Sequence, residues 1–298
     1  MALRQIAVWI HASRAPALQA ACRFIEALNG DFEVLVVPDA LGQIKAAVPK
    51  AALAVITPEG LTNAEVMVVF GGDGTILRAA EWALAADTPV LGVNLGHVGF
   101  LAELEMSQVP ELVSRVVAGE YVRESRMTIE MDLFAPGATS PHWSSLAINE
   151  VALEKASRAK MIECLVSIDG EPVSNWGCDG ILVSTPTGST AYAFSAGGPV
   201  MWPQLKAFEV VPLLAHALFA RPMVLGSDTT VSLQIQGEMS AVVTCDGYRW
   251  ADVPTGSRIE IRRHPHDLRV ARLSEQPFTS RLVRKFALPI DGWRGRST

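Results

Sequence analysis

The chain has 298 residues, enough for two domains with separate cores. Apolar residues make up 49% and charged residues 19%, an ordinary balance for a soluble enzyme. The net charge of −6, with no basic block, argues against a nucleic-acid binder.

Cys22, Cys164, Cys178 and Cys245 lie far apart without a Cys-x-x-Cys pair, which argues against a structural zinc site and a disulfide framework. No segment reaches the roughly 18 uninterrupted apolar residues of a membrane span. His11, Arg14 and proline interrupt the first apolar stretch too early for a signal peptide. The expectation is a cytoplasmic protein without membrane contact.

Taken in order, Gln5–Ile10 reads as a short apolar strand, followed by an alanine-rich helix around Pro16–Leu28 and a strand at Phe32–Val37. Val66–Phe70 is a continuous apolar, mostly β-branched run, which suits a strand buried on both faces. An Ala/Leu-rich segment from Ile76 is a strong helix former, and Thr88–Asn94 is a further strand. Strands alternating with helices imply right-handed crossovers and a parallel sheet, with ligands at the carboxyl ends of the strands.

Between the Val66 strand and its helix sits Gly71-Gly72-Asp73-Gly74-Thr75. Glycines there permit close approach of a ligand and positive φ, and the helix N-terminus behind them offers free N–H groups to an anion. A phosphate suits that place, yet Asp73 brings negative charge to it. The plain alternative is that Asp73 caps the helix. The functional one is that it accepts a proton from a substrate hydroxyl or helps hold a magnesium ion bridging phosphates. The chain has neither the Gly-x-Gly-x-x-Gly fingerprint nor a Walker loop. A second glycine loop follows at Gly92–Leu101, where Gly96 and Gly99 allow tight turns. Phe100 there either walls an adenine pocket or caps the core; His97 reads as a loop histidine without a carboxylate partner.

A helix at Val109–Val117 ends at Gly119, and the texture then changes. Met127–Leu133, Cys164–Ile168, Val231–Ile235 and Arg258–Arg262 alternate polar and apolar between Gly, Pro and Asp turns, as antiparallel strands do. The boundaries that result are an α/β domain over 1–125, a β domain over 126–271, and a segment 272–298 whose helix, Phe278–Leu288, packs back on the first domain. The fold class is therefore a Rossmann-like α/β domain with a parallel sheet plus an all-β domain.

Within the β part, Asn149-Glu150 ends the strand Ser145–Ile148 and can read a base edge or sugar hydroxyls, or be a solvated turn. Asp179 opens a block in which Ser184, Thr185, Thr187, Ser189, Thr190 and Tyr192 crowd around Pro186 and Gly188, continuing through Phe194-Ser195 to Pro199. So many hydroxyls suit a loop that binds ribose hydroxyls and phosphate oxygens without adding charge. Arg78 and Lys160 can neutralise phosphate charge or stand as solvated bases.

Gly71–Thr75, Gly92-x-Asn94 with Gly99-Phe-Leu101, Asn149-Glu150, and Asp179-Gly-x-x-x-Ser-Thr-Pro-Thr-Gly-Ser-Thr-Ala-Tyr192 together resemble the NAD kinase family. The first motif is also shared with diacylglycerol-type lipid kinases, so a lipid kinase is one rival reading; a non-catalytic dinucleotide-binding regulator is another. The resemblance implies phosphorylation of the 2′-hydroxyl of the adenosine ribose of NAD by ATP or polyphosphate, with Mg2+ carried by the donor. It makes Asp73 the proton acceptor, with Gly74 beside the substrate. Asn149, Glu150, Asp179, Thr187 and the run Thr190, Ala191, Tyr192, Ala193, Phe194 and Ser195 would hold NAD, with Phe100, Arg78 and Lys160 at binding positions. It also implies a homo-oligomer, dimer or tetramer. One departure stands out: many members carry Arg two residues before the block's aspartate, where this chain has Gly177. Losing that cation near the nicotinamide end removes a reason to discriminate by ring charge, so NADH is expected to be accepted too.

Overall fold

In a computed structural model, residues 3–11, 13–28, 30–94, 99–105, 109–158, 160–273 and 277–289 are described. The chain divides into two compact units: Met1–Ser125 with Leu268–Thr298, and Arg126–Asp267.

The first unit begins β1 (Arg4–Ile10), α1 (Ala15–Ala27), β2 (Phe32–Val36), α2 (Pro38–Ala47), β3 (Ala52–Val55) and the single turn α3 (Pro58–Leu61). It continues β4 (Met67–Phe70), α4 (Asp73–Ala85), β5 (Val90–Asn94), β6 (Ala102–Glu105), α5 (Val109–Ala118) and β7 (Val122–Arg126). The sheet order is β3-β2-β1-β4-β5, then a strand from far along the chain, Leu268–Arg272, then β7; β6 also pairs with β5. The pairs β1–β2, β2–β3, β1–β4, β4–β5 and β5–β6 are parallel. Met67, Val68, Val69 and Phe70 are all wholly buried, as expected of a central strand covered by helices on both faces. The helix Phe278–Phe286 belongs to this unit and sets Phe278 and Phe286 against Phe100, with ring centroids 5.9 and 5.8 Å away. The sequence expects a return to this unit from residue 272, whereas the chain re-enters at Leu268, because Leu268–Arg272 is itself a sheet strand.

The second unit runs β8 (Ile129–Phe134), β9 (Trp143–Ala147), β10 (Glu150–Lys155), β11 (Ile162–Ile168), β12 (Glu171–Cys178) and β13 (Gly180–Ser184). After the one-turn helix α6 (Tyr192–Ser195) come β14 (Ala207–Leu213), β15 (Met223–Gly226), β16 (Val231–Gln236), β17 (Ala241–Cys245), β18 (Arg249–Val253) and β19 (Arg258–Arg263). The strand Leu268–Arg272 is thus β20, and the last helix α7. Two six-stranded sheets form, β15-β14-β13-β10-β17-β18 and β12-β11-β16-β19-β8-β9, with antiparallel pairing such as β10–β13 and β11–β16. One core draws on both, joining Trp176, Cys164 and Leu233 of the second sheet to Val151, Phe208 and Val243 of the first. The other face of the first sheet carries a smaller cluster in which Ala193 of α6 meets Ala152, Leu182 and Val211. β13 is therefore buried on both sides, which puts the polar residues next to it under cover.

Candidate active site

In the first unit, β4 ends at Gly71 and α4 begins at Asp73, with Gly72 as its N-cap at φ −84° and ψ 179°. No side chain caps the helix, so Asp73 is free of that duty. Its carboxylate instead accepts from the backbone N–H of Phe100 (to Oδ2) and of Leu101 (to Oδ1), each at 3.4 Å. The neighbouring strands β4 and β5 bring the two glycine loops side by side. A Cβ on Gly99 would lie 2.3 Å from Asp73 Oδ1, so any larger residue there would displace the carboxylate. A Cβ on Gly71 would meet Thr75 at 2.6 Å, whereas a Cβ on Gly74 would have nothing within 4 Å. None of Gly71, Gly72, Gly74 or Gly99 adopts a positive φ, so clearance rather than backbone conformation explains them.

Phe100 is buried, and its ring packs on α7; its contribution near Asp73 is its backbone N–H. Arg78 is exposed on α4. Gly96 and His97 lie outside the described residues.

In the second unit, Ile148-Asn149 links β9 to β10, and the Thr185–Ser195 loop folds over it. Thr185 donates from Oγ1 to Ile148 O at 2.6 Å and from its N–H to Asn149 O at 2.8 Å. Gly188 N–H returns to Thr185 Oγ1 at 3.1 Å. Ser189 Oγ donates to Pro186 O at 2.7 Å and accepts from Met201 N at 2.9 Å, and Thr190 Oγ1 donates to Thr187 O at 3.3 Å. Several of these hydroxyls thus also fold the loop itself. Thr187 Oγ1 is the exception, buried without a partner.

Tyr192 presents its phenol to Glu154 at 2.9 Å and its backbone N–H to the Glu150 carboxyl. Burial, reinforced by that hydrogen bond, pushes the Tyr192 phenol up to about 12. Lys155 Nζ pairs with Asp179 Oδ1 at 2.6 Å. Together Glu154, Lys155, Asp179, Tyr192, Ser195 and Leu214 line much of a cavity of about 470 Å³. Three sequence-selected residues, Asp179, Tyr192 and Ser195, therefore share one pocket. Ala191, Ala193 and Phe194 lie in the same loop, Ala193 buried on the sheet and Phe194 exposed. Lys160 stands apart, exposed ahead of β11.

Glu150 is buried; one carboxyl oxygen takes the Tyr192 N–H, while Oε2 has no partner. Burial, with the nearby charge of Asp246 second, raises its pKa from 4.5 to about 8. Sequence reading missed Glu154, Lys155, Asp246 and Glu209. Lys155 and Asp179 meet only because β10 pairs with β13, and burial of a lone Asp or Glu leaves no trace in sequence.

A carboxylate in a glycine-cleared bay on a parallel α/β sheet, with a polar loop and pocket on a β sandwich, is the equipment of a nucleotide kinase. Two family models match in that order: the ATP-NAD kinase N-terminal domain over residues 34–121 and the C-terminal domain over residues 148–273. The chain is 53% identical to the NAD kinase of Cutibacterium acnes, over 98% of this chain and 92% of that protein. It is 50% identical to the NAD kinase of Thermobifida fusca, over 80% of this chain and 74% of that one. The chain belongs to the NAD kinase family. A crystal structure of yeast NADH kinase complexed with NADH shares the fold at a TM-score of 0.86 and 22% identity, covering 98% of this chain and 89% of the other. An NAD kinase from Archaeoglobus fulgidus in complex with ATP superposes with a TM-score of 0.71 at 25% identity, covering 96% of this chain and 100% of that one.

Proposed function

We propose that this kinase transfers a phosphoryl group from ATP or polyphosphate to the 2′-hydroxyl of the adenosine ribose of NAD, giving NADP, and that it also accepts NADH. The observation that carries the reading is Asp73: a carboxylate that caps nothing, is held by two amides, and sits beside Gly74, where a side chain would meet open space. A ribose hydroxyl is a poor nucleophile, and phosphoryl transfer asks the protein mainly for positioning and charge neutralisation. Asp73 would take the hydroxyl proton as the new bond to phosphorus forms.

Asn149, Glu150, Asp179, Thr187 and Thr190 to Ser195 would hold the dinucleotide. The unpartnered Oε2 of Glu150 and Oγ1 of Thr187 are spare hydrogen-bonding capacity of the kind a ligand meets. Exposed Arg78 and Lys160 would answer phosphate charge. Among the described residues no cluster of three or more His, Cys, Asp or Glu could hold a metal. Mg2+ carried with the phosphoryl donor would offset charge on the transferred group. A lipid kinase is not favoured, since both family matches are to NAD kinase domains. A cytoplasmic location suits the substrates. Self-association is supported by the run Leu214, Leu218 and Phe219, which exposes 78%, 111% and 50% of its surface.

The test is NADP formation by purified protein from NAD with ATP or with polyphosphate. Asp73→Asn is expected to lose about a hundredfold or more in kcat while NAD still binds. Near-normal turnover in that variant would remove the mechanism.

A further inference from the structure

The Asn149-Glu150 pair is held by a residue nearly a hundred positions away, a separation of 97 in the case of Asn149. Asp246 lies in the turn between β17 and β18, where both it and Gly247 have positive φ, at 50° and 73°. Its side chain is wholly buried. Ile148 N–H donates to both carboxylate oxygens at 3.0 Å, Asn149 N–H to Oδ1 at 2.7 Å, and Glu150 N–H to Oδ1 at 3.4 Å. Arg249 donates to Oδ2 at 2.7 Å, and Asp246 N–H donates back to Glu150 O at 3.0 Å.

The opposite edge of the same peptide is held too. Asn149 O accepts from Thr185 N–H at 2.8 Å and Ser184 Oγ at 3.2 Å, and a Cβ on Gly188 would lie 2.1 Å from it. The backbone carrying Asn149 and Glu150 therefore has no freedom of its own. Where their side chains point is set by Asp246 on one side and the hydroxyl loop on the other.

We propose that Asp246 is a positioning residue for dinucleotide recognition: it fixes the Asn149-Glu150 backbone, and its negative charge adds to burial in keeping Glu150 a neutral acid whose unpartnered Oε2 donates a hydrogen bond to the ligand. This rests on the NAD kinase reading and adds a residue and a protonation state to it. All the groups bonded to Asp246 through its carboxylate are donors, so that carboxylate is the member of the pair that holds the charge. Burial raises the Asp246 pKa above the ordinary carboxylate value, and the amides and Arg249 oppose that rise. Glu150 has the reverse surroundings, with one donor from Tyr192 N–H, an unpartnered Oε2, and burial plus the Asp246 charge pushing its pKa up to about 8. The other ionisable groups acting here are Cys245 and the Tyr192 phenol, both electrically coupled to Glu150, with burial pushing each up to about 12. Glu154 on the same strand is turned to the Tyr192 phenol, and Glu209 lies two strands over in register. Neutral Glu150 can give its proton to a ribose or phosphate oxygen; ionised, it could only accept.

The experiment measures NAD affinity by calorimetry, together with KM and kcat, across neutral to alkaline pH. Wild-type affinity for NAD is expected to fall above about pH 8 as Glu150 ionises. Asp246→Asn keeps the shape but drops the charge. It should weaken NAD binding about tenfold at neutral pH, change kcat far less, and move the alkaline fall lower by about one pH unit. Glu150→Gln is a permanent donor, so whatever affinity it retains at neutral pH should show no alkaline fall. Parallel pH profiles for Asp246→Asn and wild type, or an alkaline fall that survives in Glu150→Gln, would overturn the inference; a merely structural Asp246 would lower stability without moving that fall. If the wild type neither binds nor phosphorylates NAD, the function proposed above falls, and this inference with it.

Discussion

Glu209 sets up a stability experiment with a sign that can be worked out beforehand. It lies in β14 opposite Ser184, which lies opposite Glu150 on the other side, so two carboxyls flank one hydroxyl on the covered face of the sheet. Glu209 is fully buried, and neither carboxyl oxygen has a partner. Gly198 seals the site, since a Cβ there would lie 2.7 Å from Oε2. Burial raises the Glu209 pKa from 4.5 to about 8.

A carboxyl raised in the folded state costs nothing while both states are protonated. As pH climbs from 4.5 toward about 8 the unfolded chain releases the proton and the folded one does not, so stability declines across that window and then levels off. At about 1.4 kcal/mol per pH unit, the decline levels off on the order of 5 kcal/mol above pH 8. Glu209→Leu abolishes it with an apolar side chain of similar volume. The variant should gain under about 1 kcal/mol near pH 5 and about 3–4 kcal/mol near pH 8, read by urea titration of the intact protein. Glu209→Gln should lose the pH dependence too, without the full gain, because its amide stays buried and unpaired. A Leu variant whose stability tracks the wild type in parallel from acid to alkaline pH would refute the reasoning.

Gly99→Ala drives a methyl toward a carboxylate that would be 2.3 Å away, so kcat should drop about a hundredfold with NAD affinity retained, as steady-state kinetics would show. Gly188→Ala meets backbone instead, 2.1 Å from Asn149 O, and should cost about 3 kcal/mol and lower the melting temperature by several degrees. With Gly177 in place of a cation, kcat/KM for NAD and NADH should be comparable; a preference of about a hundredfold for NAD would end that expectation.

What could be read from the sequence was whatever depends on local pattern. Val66–Phe70 announces a buried strand because five apolar residues in a row have no solvent face, and the change to alternation after Gly119 marks the second unit. The Gly71–Thr75 and Ser184–Tyr192 stretches stood out because glycines and hydroxyls in such density serve no packing purpose. The rest depends on distant pairing. Leu268–Arg272 is short and carries two arginines, with no continuous apolar run to mark a buried parallel strand, yet it enters the parallel sheet beside β5. Asp246 reads as half of an Asp-Gly turn, and its hold on Asn149 exists only once β17 pairs with β10. Phe100 was open between ligand wall and core until α7 supplied Phe278 and Phe286.

The insertion of one unit within the other bears on how the chain is made. The outgoing strand β7 and the incoming β20 are neighbours in the sheet, tied by the ion pair between Glu124 and Arg272. On the ribosome the sandwich has all its strands once Asp267 has emerged, whereas the older, N-terminal half must wait with a gap between β5 and β7. The part synthesised first is thus the last to be completed, and a nascent chain stopped short of Leu268 would hold a finished sandwich beside an unfinished nucleotide platform.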